Sequence, residues 1–504
     1  MSAVGPIYLD YAATTPVDAR VAARMAECLG AEGMFGNPAS THSFGRLARA
    51  QVEAARAQVA ALIGARAPDL VFTSGATEAN NLAILGVARA ALAAGRRATS
   101  GNAKTPARTP HVITARTEHK AVLDPCRQLE REGIAVTYLT PAGDGRISPQ
   151  QLREALHPDT VLVSLMHANN ETGAIQDIAA FAELCRAHGA ALHVDAAQSA
   201  GKLPIDVVAL NLDLLSFTAH KLYGPKGIGA LYVRPERRVS LQPLMYGGGH
   251  ERGLRSGTLP VHQIVGFGAA CELAAVALNA ESVRLADLRD RLWGGIGRMP
   301  GVLLNSPLPN SLPGILNVSF AGIEGESLLF GLTELALASG SACNSDSDEP
   351  SYVLRALGRD RETAQSSLRF SLGRGTTAAD IDQTLIAVER EVTKLRAAAL
   401  ASPPDAWALS GEAGAREQGT WVRFMFTTRG GLIVEATHQV YGCPQTQAVC
   451  TWLVSELKGR ALSDPGLGGP QDWARRLGIP NERLTRLLVV EDALRNALTS
   501  TMAP

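Results

Sequence analysis

The chain has no excess of charge of either sign. Its 504 residues contain 48 lysines and arginines and 48 aspartates and glutamates. A balanced chain of this kind sets up no overall field that would attract nucleic acid or an anionic membrane. The composition therefore favours a small-molecule or protein substrate, and we expect neither nucleic acid nor a membrane among its partners.

The sequence also lacks a secretory signal, a long apolar run and a disulfide framework. Its N-terminus, MSAVGPIYLDYAATTP, has no basic region followed by an apolar core. The longest apolar stretch, VHQIVGFGAACELAAVAL, is interrupted by Gln263 and Glu272, and we expect it to be too short and too polar to span a bilayer. The seven cysteines are odd in number and scattered. This pattern indicates reduced thiols and a cytoplasmic location.

What the sequence does contain is a regular alternation of strand-like and helix-like segments. Short β-rich runs such as LVFTSG, HVITA, ALHVDAAQ, LLSFTAHK and GALYV alternate with alanine-rich stretches such as RLARAQVEAARAQVAALIG. Runs that are apolar on both faces are typical of a parallel sheet covered by helices. We therefore predict an α/β fold with a largely parallel sheet up to about residue 258, with its ligand at the carboxyl ends of the strands.

The rest of the chain divides by composition. Residues 91–110 lack helical periodicity and acidic residues, and we interpret them as an exposed insertion without a function of its own. Residues 259–400 are rich in helical patterns, with Thr377 as the predicted N-cap of a long amphipathic helix. The Pro/Gly/Ala-rich residues 401–418 are predicted to be a linker. Residues 419–504 then form a separate small α+β unit, and no internal repeat is visible.

Three segments carry groups that together suit one cofactor. Lys221 follows a strand and precedes a Gly/Pro-rich turn, although a single lysine would by itself be interpreted as a surface residue. HVDAAQSAGK supplies Asp195 and Gln198 at the end of an earlier strand, and FTSGATEANN supplies a strand, a turn and a helix start. A Schiff-base lysine, a carboxylate for a pyridinium nitrogen and a phosphate cradle are what pyridoxal phosphate requires. Backbone N–H groups after Gly75, with Thr77, would meet the phosphate at a helix N-terminus.

The motifs together resemble those of the cysteine desulfurases of iron–sulfur cluster assembly. The resemblance covers roughly residues 5 to 398 and rests on YLDYAATTP, GNPASTHSFG, TSGATEANN, TEHKAVL, NNETGAIQ, HVDAAQ, HKLYGPKGIGALYV, GGGHERGLRSGT, SGSACNS and LRFSLGR. It implies pyridoxal-phosphate fold type I, a homodimer and an active site near the subunit interface. The implied large domain spans residues 15–258, and the small domain combines residues 1–14 with 259–400.

The resemblance also implies a role for each matched position. Lys221 corresponds to the cofactor-bound lysine, His119 to the imidazole stacked on the cofactor ring, and Asp195 and Gln198 to the partners of the pyridine nitrogen and the phenolic oxygen. Substrate carboxylate binding falls to Asn170 and Arg369, since a guanidinium fork accepts both oxygens at once. The phosphate-binding positions are Ala76, Thr77, Thr218 and His220, joined by Thr258 of the partner subunit.

Cys343 stands alone among small polar residues in LASGSACNSDSDEP, where a structural cysteine would normally be buried. The resemblance implies that this thiol takes sulfur from L-cysteine as a persulfide and passes it to an acceptor protein such as an iron–sulfur scaffold. The attacking species must be the thiolate. Asp346, Asp348 and Glu349 would oppose its ionisation, so we expect activation inside the site, through His119 or the substrate.

Residues 419–504 resemble the iron–sulfur scaffold proteins through YGC, KGR and VEDAL. The ligand positions of the scaffold are occupied here by Gln418, Thr420, Thr485 and Arg486, and only Cys443 remains as a thiol. Cluster ligation needs several thiolates or comparable ligands. We therefore predict no cluster and no metal site. Cys443 is either a second sulfur acceptor or a structural residue, and the unit could instead cover the docking face for a separate scaffold.

Two other functions remain open at the level of sequence. One is a related pyridoxal enzyme such as a selenocysteine lyase or an aminotransferase, which would not require Cys343. The other is an assembly or docking protein whose catalysis is secondary, which would function without Lys221. The sequence favours a cysteine desulfurase that converts L-cysteine to L-alanine.

Overall fold

The computed structural model describes residues 5–100, 109–235, 239–339, 349–400, 409–463 and 466–500. Cys343, Asp346 and Asp348 lie outside the described residues. The strands are β1 (Ile7–Tyr8), β2 (Leu70–Thr73), β3 (His111–Ala115), β4 (Ala135–Leu139), β5 (Thr160–Met166), β6 (Ala191–Asp195), β7 (Leu214–Thr218), β8 (Gly229–Val233), β9 (Val302–Leu304), β10 (Ile315–Phe320), β11 (Leu335–Ala336), β12 (Ala338–Ser339), β13 (Ser367–Ser371), β14 (Leu409–Ala415), β15 (Thr420–Arg429) and β16 (Leu432–Tyr441). The helices are α1 (Ala19–Ala26), α2 (Ser43–Leu62), α3 (Ala76–Ser100), α4 (Lys120–Arg131), α5 (Pro149–Ala155), α6 (Ile178–His188), α7 (Val261–Ile296), α8 (Gly325–Gly331), α9 (Tyr352–Ala356), α10 (Arg361–Gln365), α11 (Ala378–Leu400), α12 (Pro444–Leu457), α13 (Pro470–Leu477) and α14 (Leu484–Thr499).

The β-rich runs of the first half form a seven-stranded sheet in the order β2-β8-β7-β6-β5-β3-β4. Pairings from β7 through β4 are parallel, whereas β8 pairs antiparallel with both β7 and β2. Every residue of β2, β3, β6 and β7 is buried, as expected for strands covered on both faces. The predicted α/β fold with a mostly parallel sheet is confirmed.

A second sheet, in the order β12-β13-β10-β9, is antiparallel and has a separate core with α7 and α11. The N-terminal strand β1 pairs with β11, and Asp10 bridges to Ser371 at the end of β13. Residues 5–14 therefore lie beside the second sheet. The proposed domain boundary at residue 258 stays a prediction. Thr377 caps α11 as predicted, because its Oγ1 accepts from the Asp380 N–H at 3.2 Å.

Two predictions from composition were wrong, and a third segment is longer and more apolar than expected. Residues 91–100 are not an irregular insertion, because α3 continues to Ser100. Residues 409–415 are not linker, because they form β14. The apolar stretch from Val261 belongs to a helix of 36 residues. Among the helices of the described residues, this one alone is long and apolar enough to cross a membrane, by length and composition only. Half of its apolar window is buried inside the protein, however, where it packs against α2.

The C-terminal unit (residues 409–500) is an antiparallel sheet in the order β14-β15-β16 covered by α12 and α14, with its own core around Phe424, Phe426 and Trp473. It is tied to the rest of the chain at α8. The Ser327 hydroxyl donates to the Gly442 carbonyl at 2.8 Å. A hydrogen bond between two buried groups at this contact holds the unit against the second sheet.

Candidate active site

The carboxyl ends of β5, β6 and β7 open into a cavity of about 560 Å³. Strands, helix starts and the N-terminal segment all contribute to its walls. The cavity brings together most of the residues predicted from the sequence: Ala76, Thr77, His119, Asn170, Asp195, Gln198, Thr218, His220, Lys221 and Arg369. Thr258 and Cys443 do not line it, and Cys343 lies outside the described residues.

Lys221 enters the cavity from a single helical turn that directly follows β7. Its ammonium donates hydrogen bonds to two carbonyls of the N-terminal segment, Ala12 O and Ala13 O, the second at 2.8 Å. These bonds hold the amine at the cavity wall. An amine in this place is available to a carbonyl-bearing cofactor.

Asp195 ends β6 and is buried at the base of the cavity. Its Oδ1 accepts from the Ala197 N–H at 2.9 Å, and its Oδ2 accepts from the Asn80 amide at 2.7 Å. Both oxygens of the carboxylate thus accept a hydrogen bond. The sequence analysis did not predict a role for Asn80. The signal was present, because Asn80 lies in the TSGATEANN motif four residues after Ala76 and therefore on the same face of the helix.

His119 is fixed by its position at the N-terminus of α4. It is the N-cap of the helix, and its Nδ1 accepts from the Ala121 N–H at 3.1 Å. Burial lowers the pKa of His119, and the nearby Lys221 charge lowers it further, while Asp195 acts in the opposite direction. The imidazole is therefore neutral, with its remaining proton on Nε2.

The opposite end of the cavity can hold an anion. Ala76 and Thr77 begin α3, where the first backbone N–H groups have no partner within the helix. Thr218 lines the cavity beside this helix start. Strand β8 approaches the helix start closely at Gly229, where a Cβ atom would lie 2.7 Å from the Gly75 carbonyl carbon. A side chain at Gly229 would therefore displace the backbone at Gly75, directly before the helix start that can bind the anion.

His220 completes this wall, with its Nδ1 3.2 Å from the Thr14 hydroxyl. Burial, and then the neighbouring Lys221, lowers the pKa of His220 to about 4. His220 is thus neutral at pH 7 and can act there as a hydrogen-bonding group without adding a charge.

Arg369 and Asn170 form the wall nearest the second sheet. Arg369 Nη2 bonds to Asp10 Oδ1 at 2.7 Å, and its Nη1 donates to the Asn170 carbonyl at 2.9 Å. Within the described residues, Arg369 Nε and Asn170 Oδ1 are buried without a hydrogen-bond partner. Buried polar atoms without partners are rare in native proteins, and both of these belong to residues that line the cavity. Gln198, by contrast, already donates to Ala12 O at 2.9 Å.

The donor set fits pyridoxal phosphate together with an amino-acid substrate. The amine of Lys221, the carboxylate of Asp195 and the helix start at Ala76 match the aldehyde, the ring nitrogen and the phosphate of the cofactor. Arg369 and Asn170 line the same cavity, and a guanidinium beside an amide suits a carboxylate-bearing substrate. Among the described residues no group of three or more potential ligands could hold a metal ion.

Comparison with known proteins gives a consistent result. Residues 7–384 match the model of the class-V aminotransferase family. The chain is 57% identical over 392 residues, 78% of its length and 94% of the relative, to the cysteine desulfurase IscS of Pectobacterium atrosepticum. Among solved structures it resembles a NifS-like protein (TM-score 0.69, 35% identity, 77% of this chain and 100% of that one) and DndA from Streptomyces lividans (TM-score 0.60, 43% identity, 72% and 99%). The family match ends before the C-terminal unit.

We predict that His119 carries its proton on Nε2 and stays neutral at pH 7, since burial lowers its pKa and Nδ1 is occupied as an acceptor. Nitrogen NMR of histidine side chains, assigned by the signals lost in His119→Gln, distinguishes the two tautomers and the charged form. The charged imidazolium at pH 7, or a proton on Nδ1, would contradict this arrangement.

Proposed function

This chain belongs to the class-V aminotransferase family, and from that premise we propose how its residues carry out cysteine desulfuration. Its similarity to cysteine desulfurases over most of its length makes it a pyridoxal-phosphate-dependent enzyme that releases sulfur from L-cysteine. The observation that carries the residue assignment is the convergence of Lys221, Asp195, His119 and Arg369 on one cavity.

The proposed division of labour follows from the contacts. When bound, the cofactor withdraws electrons from the substrate Cα and Cβ. Arg369 and Asn170 bind the substrate carboxylate, and the anchored Lys221 amine accepts and returns the Cα proton. Asp195 would hold the ring nitrogen of the cofactor through its carboxylate, and the neutral His119 would hold the ring from one side. The Cys343 thiolate takes the sulfur as a persulfide, leaving L-alanine, and passes it to an acceptor protein such as an iron–sulfur scaffold in the cytoplasm.

Two substitutions separate cofactor attachment from sulfur transfer. Lys221→Ala should remove the visible absorbance of the lysine-bound cofactor and all turnover, because Lys221 is the lysine that hydrogen bonds to Ala12 and Ala13 hold at the cavity wall. Cys343→Ser should keep that absorbance and the spectral response to L-cysteine, yet stop persulfide formation, since a hydroxyl cannot carry the sulfur.

Absorbance spectra and alanine assays measure both effects, with Lys394→Ala, an exposed lysine on α11, as the matched control. Unchanged absorbance in Lys221→Ala would refute the cofactor assignment. Full turnover in Cys343→Ser would assign the acceptor role to another group.

We further propose that the enzyme is a homodimer in which Thr258 completes the partner's site. Thr258 does not line the cavity of its own chain. The same chain exposes large apolar side chains that a second copy would cover, including the paired rings of Phe35 and Phe44, about half exposed, and Tyr246 at 74%. Such exposure on a single chain is typical of an interface.

Tagged heterodimers test this arrangement. If Thr258 acts on the partner's site, a Lys221→Ala chain paired with a Thr258→Ala chain keeps one intact site and about half of the wild-type turnover. Both substitutions in one chain, paired with a wild-type chain, should then impair both sites. The reverse pattern would show that Thr258 serves its own cavity.

The C-terminal unit, we propose, is docked on the desulfurase and does not accept sulfur. Cys443 is fully buried, with its Sγ 3.3 Å from the Thr446 hydroxyl, directly beside the Ser327–Gly442 contact. Arg483 and Arg486 lie 3.3 and 3.9 Å from the Glu326 carboxylate of α8. Arg486, one of the positions where the scaffold family has a ligand, thus faces the desulfurase, which favours the covering role over the acceptor role.

Charge reversal at Glu326 should undock this unit. Glu326→Arg places a cation against Arg483 and Arg486, so Cys443 should react with a thiol-alkylating reagent at least about 10-fold faster than in the wild type. Glu389→Arg, the same change at an exposed position of α11, is the control. Mass spectrometry locates the label.

After cysteine turnover of the wild type, the same method should find persulfide on Cys343 and none on Cys443. Persulfide on Cys443 would restore the acceptor hypothesis, and equal labelling of Cys443 in all three proteins would refute docking through Glu326.

A further inference from the structure

The segment that contains Cys343 is attached to the protein at residues next to the substrate-binding groups. On its N-terminal side, β12 pairs with β13 so that Ala338 lies opposite Arg369 and Ser339 opposite Leu368. Cys343 follows Ser339 by four residues. The strand that presents Arg369 to the cavity therefore also fixes where this segment begins.

On the C-terminal side the attachment is made by two hydroxyl groups. The Ser351 side chain donates to the Glu171 carboxylate, and its Oγ also accepts from the Leu354 N–H at 3.1 Å as the N-cap of α9. The next residue, Tyr352, donates from its hydroxyl to the Glu118 carbonyl at 2.7 Å. Ser351 and Glu171 are 1% and 4% exposed, so their bond is shielded from water.

Both acceptors neighbour residues of the site. Glu171 directly follows Asn170, and Glu118 directly precedes His119. The Glu171 main chain is itself immobilised, because its N–H donates to Asn169 Oδ1 at 2.9 Å and its carbonyl accepts from the Asn317 amide at 3.3 Å. The Glu118 carboxylate accepts from the Met166 N–H at 2.9 Å, at the end of β5. Ser351 and Tyr352 thus bond to rigid parts of the cavity wall.

We propose that Ser351 and Tyr352 are positioning residues for sulfur transfer, which fix the C-terminal boundary of the Cys343 segment relative to the bound substrate. The inference rests on the proposed acceptor role of Cys343. Neither residue lines the cavity, so neither contacts the substrate or cofactor there. Their bonds tie the residues that follow Cys343 in the chain to the cavity wall, and group transfer is sensitive to displacements of about 1 Å.

The roles of these bonds can be separated from simple stabilisation by matched variants. Ser351→Ala removes both the bond to Glu171 and a helix cap, and Ser148→Ala removes the equivalent cap of α5, where Ser148 Oγ accepts from the Gln151 N–H at 3.1 Å. Tyr352→Phe removes the bond to Glu118, and Tyr138→Phe removes a comparable bond to the Glu130 carboxylate. Ser351→Thr keeps the hydroxyl and should restore function.

We expect Ser351→Ala and Tyr352→Phe each to slow single-turnover persulfide formation on Cys343 about 10-fold. The affinity for L-cysteine, measured by the change in cofactor absorbance, should stay within about 2-fold of the wild type, because the substrate-binding groups are unchanged. Ser148→Ala, Tyr138→Phe and Ser351→Thr should resemble the wild type in both measurements.

Two outcomes would overturn the inference: a wild-type rate in both Ser351→Ala and Tyr352→Phe, or a loss in these variants that lies entirely in the affinity for L-cysteine. An equal loss in Ser148→Ala would also do so, because it would reflect helix stability alone. Failure of the underlying function is distinguishable, since it would appear as full turnover in Cys343→Ser.

Discussion

The register of three parallel strands determines where everything else in the site can lie. In the large sheet Met166 lies opposite Asp195, and Asp195 lies opposite Ser216. Side chains at equivalent positions of neighbouring parallel strands emerge at one edge, so Asp195 and the turn that carries Lys221 open into the same cavity. A shift of one residue would turn each of these side chains to the other face of the sheet.

The second constraint is the N-terminal segment, which joins the two sheets at the cavity. Ala12 and Ala13 accept hydrogen bonds from Lys221, and Ala12 also accepts from Gln198 of the large sheet. Toward the second sheet, the Ala12 N–H donates to the Ser371 hydroxyl at 2.9 Å, and Asp10 pairs with Arg369. The distance between the amine and the guanidinium is therefore set by a short stretch of backbone that contacts both.

The C-terminal unit is joined to the rest of the chain by polar contacts at α8. Its core is complete without the rest of the chain, and its contact with α8 combines a buried hydroxyl–carbonyl bond with paired charges. A carboxylate that lies near two arginines restricts the orientation of the docked unit more than a single exposed ion pair does, because both cations must be placed together.

The sequence by itself determined the α/β class and the cap at Thr377, because periodicity and capping are local properties of the chain. Most of the residues that meet in the cavity came from the resemblance of its motifs to those of the cysteine desulfurases. The predictions for residues 91–100 and 409–415 were wrong for different reasons. Alanine, leucine and arginine favour the helix over 91–100, whereas residues 409–415 form a strand because they pair with β15. Only the tertiary structure decided that Asn80 bonds to Asp195, that Cys443 is buried, and that Ser351 bonds to Glu171. The physical reason is that burial and long-range hydrogen bonds depend on which distant segments pack together, and no local pattern in one chain encodes that pairing.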